Sequence, residues 1–252
     1  MGKEFKKQMS ITQKIRCHVA EINDHGDHVY TVTLKPQKPV PKFSPGQFLH
    51  LALDEYDPSG FWPESRVFSI ASSPFNRKII TISYSVKGRF TSRMEKELRK
   101  GSTVWIKLPY GDFIVKGDSD VVLFAGGTGI TAFTSFIDTI NSNYLFNIYL
   151  IYGARNEKLL LYREKIEICA QKYSGLVPFY FVEKLDNEVK NAGFKRRVKK
   201  GIISLDSIWS EIREPTKSVF YLSGPPKMLT DLKEDLCLRG IPEWAIKIDS
   251  WL

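Results

Sequence analysis

The stretch Val121-Val122-Leu123-Phe124-Ala125-Gly126-Gly127-Thr128-Gly129-Ile130-Thr131 decides the fold. Four apolar residues form a buried type of strand. A glycine-rich turn follows and opens a helix. Glycines let a backbone approach a phosphate closely, and a helix start points unpaired N–H groups at it. The spacing is not G-x-G-x-x-G, so the ordinary dinucleotide fingerprint is not matched. Taken alone, a tight strand-to-helix turn also explains the glycines.

Downstream of this stretch the rhythm is strand, helix, strand. Expected strands are Phe146–Tyr152, Leu176–Val182, Ser218–Leu222 and Ile246–Ile248. Expected helices are Thr131–Asn141, Leu159–Lys172, a short Ser204–Ile212 and Pro226–Leu238. Such alternation predicts a parallel sheet with helices on both faces.

Upstream, short apolar runs alternate with turn residues. The runs are Ile15–Ile22, Val29–Leu34, Phe48–Leu53, Val67–Ala71, Ile79–Val86 and Val104–Leu108. This spacing predicts an antiparallel barrel or sandwich. One helix interrupts it, roughly 91–99, with Thr91 or Ser92 as N-cap. The expected architecture is therefore a β barrel over 11–117 followed by a Rossmann-like α/β domain over 118–252.

Composition removes several classes. Of 252 residues, 42% are hydrophobic and 26% charged, which is ordinary globular usage. Cys17, Cys169 and Cys237 are far apart, which gives neither a zinc ribbon nor four iron–sulfur ligands. Sparse, odd cysteine usage fits a reducing compartment, so a cytoplasmic protein is expected. The polar start carries no secretory h-region, and no run is long enough to span a bilayer. His25-x-x-His28 lies in a turn-like stretch with no third ligand, so no metal site is expected.

Two further motifs carry chemistry. In Arg66-Val67-Phe68-Ser69, the arginine fork suits a diphosphate, the ring a flat heterocycle and the hydroxyl a ring nitrogen. An edge strand with one surface charge and one core ring reads the same way. Gly88-Arg89-Phe90-Thr91-Ser92 offers capping hydroxyls and free N–H groups, which suit a phosphate or a plain cap.

The ordered set Pro45-Gly46-Gln47-Phe48, Arg66 to Ser69, Gly88 to Thr91, Pro109-Tyr110-Gly111-Asp112-Phe113, Gly126 to Thr131 and Ser223-Gly224-Pro225-Pro226 resembles the ferredoxin–NADP reductase superfamily. The resemblance runs from about Ile15 to Trp251. It implies an FAD-binding barrel and an NAD(P)-binding domain, with hydride passing between nicotinamide and flavin.

By that resemblance Arg66 holds the FAD diphosphate and Phe68 stands where the family usually has a stacking tyrosine. Ser69 serves the flavin's N5 edge, and Ser83, Tyr84 and Ser85 line the ribityl path. Gly88, Phe90, Thr91 and Ser92 close on the diphosphate. Gly127, Thr128, Gly129 and Thr131 hold the coenzyme diphosphate, with Gly224 and Pro225 beside them. Ser223 takes a position that is often cysteine, next to the nicotinamide. The tail Asp249-Ser250-Trp251-Leu252 resembles an acidic-x-aromatic ending. There Trp251 covers the flavin and Asp249 serves a proton network. NADPH is expected, with NADH as the alternative. The candidate 2′-phosphate cations are Arg155, Lys184, Lys195, Arg196 and Arg197. The run Lys195–Lys200 also reads as a solvated basic loop.

Lys and Arg exceed Asp and Glu by nine. Residues 1–117 hold 19 basic and 11 acidic side chains; residues 118–252 hold 18 and 17. The excess belongs to the flavin half, which suits docking of an acidic carrier such as ferredoxin or flavodoxin. A monomer is expected. The rivals are a reductase of free flavin, quinone or ferric chelates that needs no partner, and an electron-transfer subunit of a larger complex. A basic barrel for nucleic acid is disfavoured, because it leaves Gly126–Thr131 without a task.

Overall fold

The computed structural model describes residues 11–141, 144–184 and 198–249. The first sheet contains β1 (Gln13–Asp24), β2 (Val29–Pro36), β3 (Phe48–Ala52), β4 (Ser65–Ser69), β5 (Ile80–Ser85) and β6 (Thr103–Tyr110). Their order is β4-β3-β6-β1-β2-β5, all antiparallel. Just past β4, the Ala71 N–H donates to the Thr81 carbonyl of β5 at 2.9 Å, so the ends of the sheet nearly meet as a barrel.

Strand alternation makes the barrel core. Ile15, Cys17 and Val19 of β1 point inward, as do Val104, Ile106 and Leu108 of β6. Lys14 and His18 face out. This period of two is what the sequence pattern predicts.

Helix α1 (Arg89–Glu97) begins two residues earlier than expected. Its N-cap is Gly88, with extended backbone (φ −174°), rather than Thr91 or Ser92. Thr91 acts from inside the first turn. Its Oγ1 accepts from the N–H groups of Lys87 (2.9 Å) and Gly88 (3.2 Å).

The second sheet contains β7 (Val121–Gly126), β8 (Ile148–Asn156), β9 (Leu176–Lys184), β10 (Val198–Lys200), β11 (Val219–Ser223) and β12 (Ile246–Ile248). It is parallel, in the order β10-β9-β8-β7-β11-β12. Every residue of β7 is buried, and its side chains alternate between two cores. Val121, Leu123 and Ala125 join one core with α2 (Thr131–Ile137) and α3 (Arg163–Lys172). Val122 and Phe124 join the other with α4 (Pro226–Leu238). Helices thus cover both faces, as expected.

Four expectations in this half need correction. The helix expected over 131–141 ends at Ile137. The 204–212 helix is absent; only a 3-10 turn at Trp209–Glu211 forms. Leu205, Ile208 and Ile212 are nevertheless buried at helical spacing. Serine hydroxyls compete for the backbone there, as the Ser207 Oγ donation to the Ser204 carbonyl (2.9 Å) shows. The helix expected over 159–172 starts only at Arg163. Residues 198–200 are not part of a basic loop: as β10 they pair with Tyr180, Phe181 and Val182 of β9 and extend the sheet.

Two residues of the 11–117 unit break the division: Val115, which follows β6, and Val29, from within β2, are buried in the second sheet's core. Val29 packs in the same core as Leu123, Ile148 and Leu150 of the second sheet.

Candidate functional site

Strand order reverses at β7, between β8 and β11. In open α/β sheets the crevice at the carboxyl ends of such strands is where ligands bind. Ala125 of β7 lies opposite Ser223 of β11, so the two glycine-bearing loops leave the sheet side by side.

The glycines in these loops serve two purposes. A Cβ on Gly126 would lie 2.7 Å from Met228 Sδ and from Pro225 Cδ. A Cβ on Gly129 would meet the Ser223 carbonyl, its carbon at 2.6 Å and the Gly224 nitrogen at 2.8 Å. These two glycines let the loops touch. Gly127 differs: its φ is +53° and nothing lies within 4 Å of its Cβ position. Its left-handed turn presents open backbone. Residues 127–130 form a 3-10 turn that runs into α2. The Thr131 hydroxyl donates to the Thr128 carbonyl at 2.8 Å and braces the turn.

Behind the crevice, Ser223 Oγ donates to Asp249 Oδ2 at 2.8 Å, and both residues are buried. Asp249 follows β12 and is fixed by its own N–H, which donates to the Leu222 carbonyl at 2.9 Å. Sequence reading named these two residues separately; parallel pairing of β11 with β12 joins them.

On the barrel side, Arg66 is exposed on β4. Its guanidinium lies 5.4 Å from the Phe90 ring centroid and donates to the Ser65 carbonyl at 2.9 Å. Glu64 bridges Arg66 and Arg89, at 3.3 Å to each. Two arginines therefore flank the start of α1, and Gly88 there has open space around its Cβ position. Sequence reading missed Arg89 and Glu64. A second arginine inside a phosphate-suited motif was the available signal.

Phe68 is buried and meets Tyr84 edge-on at 6.2 Å. Tyr84 also stacks on Tyr30 at 5.4 Å, and burial pushes its phenol well above the ordinary value. Ser83 is hydrogen bonded to Thr31 (2.7 Å) and to Tyr162 Oη (2.6 Å). Ser85 and Ser92 are half-buried. Ser69 ends β4, and two residues on the Ala71 carbonyl accepts from Thr134 Oγ1 of α2 at 2.9 Å. The segment after β4 thus meets α2, and β5 meets the 127–130 turn, so the barrel wall and the glycine loop share one seam.

The remaining candidates are dispersed. Arg155 donates to the Asp27 carbonyl at 3.1 Å. Lys184 ends β9 and is exposed. Lys195, Arg196, Arg197 and Trp251 lie outside the described residues. Among the described residues no group of three His, Cys, Asp or Glu is placed to hold a metal. His25 bonds Thr31 at 2.9 Å, and His28 bonds Glu95 at 2.7 Å.

A family profile described as an oxidoreductase NAD-binding domain matches residues 123–234. The NAD(P)H-flavin reductase of Aliivibrio fischeri is 30% identical over 189 residues, spanning 71% of this chain and 77% of that protein. The chain belongs to the ferredoxin–NADP reductase superfamily. It is a flavoprotein oxidoreductase, dependent on FAD and NAD(P)H. Within the superfamily, a flavohemoprotein of Rhizobium meliloti (strain 1021) is 24% identical over 242 residues, 90% of this chain and 58% of that protein. The fold matches the Amycolatopsis cytochrome P450 reductase GcoB with a TM-score of 0.80. Identity is 19%, over 96% of this chain and 71% of that one. The cytochrome b5 reductase domain of Ulva prolifera nitrate reductase gives 0.73 at 19% identity, over 94% and 96% of the two chains.

Proposed function

We propose that this reductase takes hydride from NADPH and delivers single electrons to an acidic carrier protein, such as a ferredoxin or flavodoxin. The seam carries the reading: it sets the barrel wall against the glycine loop, beside the Ser223–Asp249 pair. Residues 11–117 form the FAD unit and residues 118–252 the coenzyme unit.

Bound FAD supplies the chemistry, because a flavin accepts a hydride and can release electrons one at a time. The side chains have simpler tasks. Arg66 holds the diphosphate by charge-assisted hydrogen bonds, and Arg89 adds a second guanidinium. Gly88, Phe90, Thr91 and Ser92 form the wall at the start of α1. The fit is good there, because two cations and open backbone meet at a helix N-terminus. Phe68 and Tyr84 supply aromatic packing, Ser83 and Ser85 polar lining, and Ser69 a hydroxyl donor at the ring's N5 edge.

Across the seam, Gly127 and Thr128 offer backbone to the coenzyme diphosphate, while Gly129, Gly224 and Pro225 keep the loops together. Thr131 braces them. Asp249 fixes the Ser223 hydroxyl, so the polar wall beside the nicotinamide is oriented before coenzyme arrives. Trp251 is assigned the cover over the flavin. Arg155, Lys184, Lys195 and Arg196 are assigned the 2′-phosphate, and NADH is the competing coenzyme.

The charge split supports the carrier, since steering by a basic flavin unit speeds encounter with an acidic protein. No helix among the described residues is long and apolar enough to cross a membrane. We place the protein in the cytoplasm as a monomer, in keeping with its three free cysteines.

A second reading, reduction of free flavin, is favoured by the 30% identical relative named as an NAD(P)H-flavin reductase. Anaerobic titration with NADPH and NADH tests the core claim: the yellow protein should bleach. Protein that neither binds FAD nor reacts with either nicotinamide refutes it. Carrier-dependent cytochrome c reduction that weakens with salt supports the acidic partner. A rate indifferent to carrier selects the free-flavin reading.

A further inference from the structure

The β1–β2 hairpin carries three successive residues in the left-handed region: Gly26 (φ +80°), Asp27 (+49°) and His28 (+58°). For non-glycine residues that backbone costs roughly 1–2 kcal/mol each and persists only where the surroundings impose it. Here the hairpin's own bonds, His25 N–H to the Val29 carbonyl (2.9 Å) and Val29 N–H to the Gly26 carbonyl (3.0 Å), share that task with the other domain. The Asp27 carbonyl accepts from Arg155 at 3.1 Å, and its carboxylate accepts from Asn156 Nδ2 at 3.1 Å. Val29, 5% exposed, sits in that domain's core.

A hydrogen-bonded row continues from the hairpin. His25 Nε2 lies 2.9 Å from Thr31 Oγ1, Thr31 lies 2.7 Å from Ser83 Oγ, and Ser83 lies 2.6 Å from Tyr162 Oη. Tyr162 is itself left-handed, with φ +59°. The fully buried Tyr152 pins the turn before it: Tyr152 Oη donates to the Leu159 carbonyl (3.1 Å) and accepts from the Leu161 N–H (2.9 Å). Left-handed residues thus stand on both sides of the boundary, and Tyr162 and Asp27 each make a hydrogen bond that crosses it.

We propose that Tyr162 and Asp27 are positioning residues that fix the angle between the two domains, and so the approach of the nicotinamide to the flavin. This rests on the function proposed above. Neither residue is among the cofactor ligands assigned there. Ser83 is, and Tyr162 reaches the flavin wall through it. A hydride crosses only when the reacting atoms are about 3–3.5 Å apart, and a misplacement of about 1 Å can cost 10²-fold in rate. A four-member row of hydroxyls and one imidazole, closed by a buried valine, suits that tolerance. Ordinary surface packing between domains does not need a chain of short polar contacts.

The test uses the full chain and the variants Tyr162→Phe and Asp27→Ala, which cut the clamp from opposite sides. In Tyr162→Phe, amide exchange over 24–31 and 81–85 should rise by about fivefold, the loss of one hydrogen bond. The limiting rate of flavin reduction in rapid mixing should fall by about tenfold or more. Coenzyme half-saturation should stay within about twofold, since no coenzyme ligand is removed. Asp27→Ala should move the exchange and the limiting rate in the same directions; half-saturation is compared for Tyr162→Phe alone, because the Asp27 carboxylate also neighbours Arg155. Unchanged exchange in both variants overturns the clamp. Raised exchange with an unchanged limiting rate overturns the positioning role. If the wild-type protein reacts with neither nicotinamide, the functional reading fails by itself, and exchange still decides whether the clamp exists.

Discussion

Substituting Gly129 by alanine tests the idea that two backbones must touch for the crevice to have its shape. The new methyl would lie 2.6 Å from the Ser223 carbonyl carbon and 2.8 Å from the Gly224 nitrogen, with the Ser223 oxygen nearer still. Ordinary contacts between such atoms are about 3.5–4.0 Å, so the loops must part by roughly 1 Å. The obstructing atoms are backbone, and no side chain can swing aside. Overpacking of this kind costs about 1–3 kcal/mol. For a chain of this size, each kcal/mol lowers the melting midpoint by roughly 2–4 °C. The larger effect is on rate, because Ser223 moves with its loop and about 1 Å can cost on the order of 10²-fold. Calorimetry reads the first quantity and rapid-mixing reduction by NADPH the second. Gly88→Ala is the companion: its backbone is extended and its Cβ position open, so stability should hold while FAD affinity falls. A Gly129→Ala protein that melts and reacts like wild type would refute the close-contact reasoning.

Other outcomes follow from single contacts. Ser223→Ala takes one donor from a buried carboxylate, which costs about 2 kcal/mol and slows flavin reduction more than it weakens coenzyme binding; denaturant melts and single-turnover kinetics measure both. Glu64→Gln frees two arginines from a bridging carboxylate, so FAD should bind several-fold tighter while riboflavin, which lacks phosphate, is unaffected by the change; fluorescence titration with both flavins decides this. The Glu95 hydrogen bond holds the His28 imidazole above its ordinary value. That pairing contributes stability fully below about pH 6.5 and loses it as pH rises through the raised folded value. Glu95→Gln should lower the His28 midpoint in an NMR titration.

The barrel was legible because its strands are half-buried and alternate: Ile15, Cys17 and Val19 inward against Lys14 and His18 outward leave little choice of face. The run Val121–Phe124 was legible for the opposite reason, an unbroken apolar strand buried on both sides. The segment from Leu205 to Ile212 has helical spacing of its buried residues, yet local serine hydrogen bonds keep it to turns. Apolar spacing reports which side chains are buried and says less about the backbone between them. Candidate site residues can be named from sequence where a motif is contiguous, as at Arg66–Ser69. Tyr162, Asp27 and Thr134 cannot be, because their partners Ser83, Arg155 and Ala71 are remote in sequence. Only the folded chain brings such pairs together. The Ser223–Asp249 bond lies between these cases: both residues were named, and their contact depends on strand pairing.

Val29 has a consequence for how such reductases exchange parts. Cutting the chain between its two sheets gives two tidy lengths of sequence, but not two closed molecules. The coenzyme half would keep a socket shaped for a valine it no longer carries, and the flavin half would carry that valine on a hairpin with nothing to grip. A chimera that borrows a coenzyme half from one relative and a flavin half from another inherits this mismatch unless the turn from Asp24 to Thr31 travels with the coenzyme half. The unit of inheritance here is a domain together with a few residues of its neighbour.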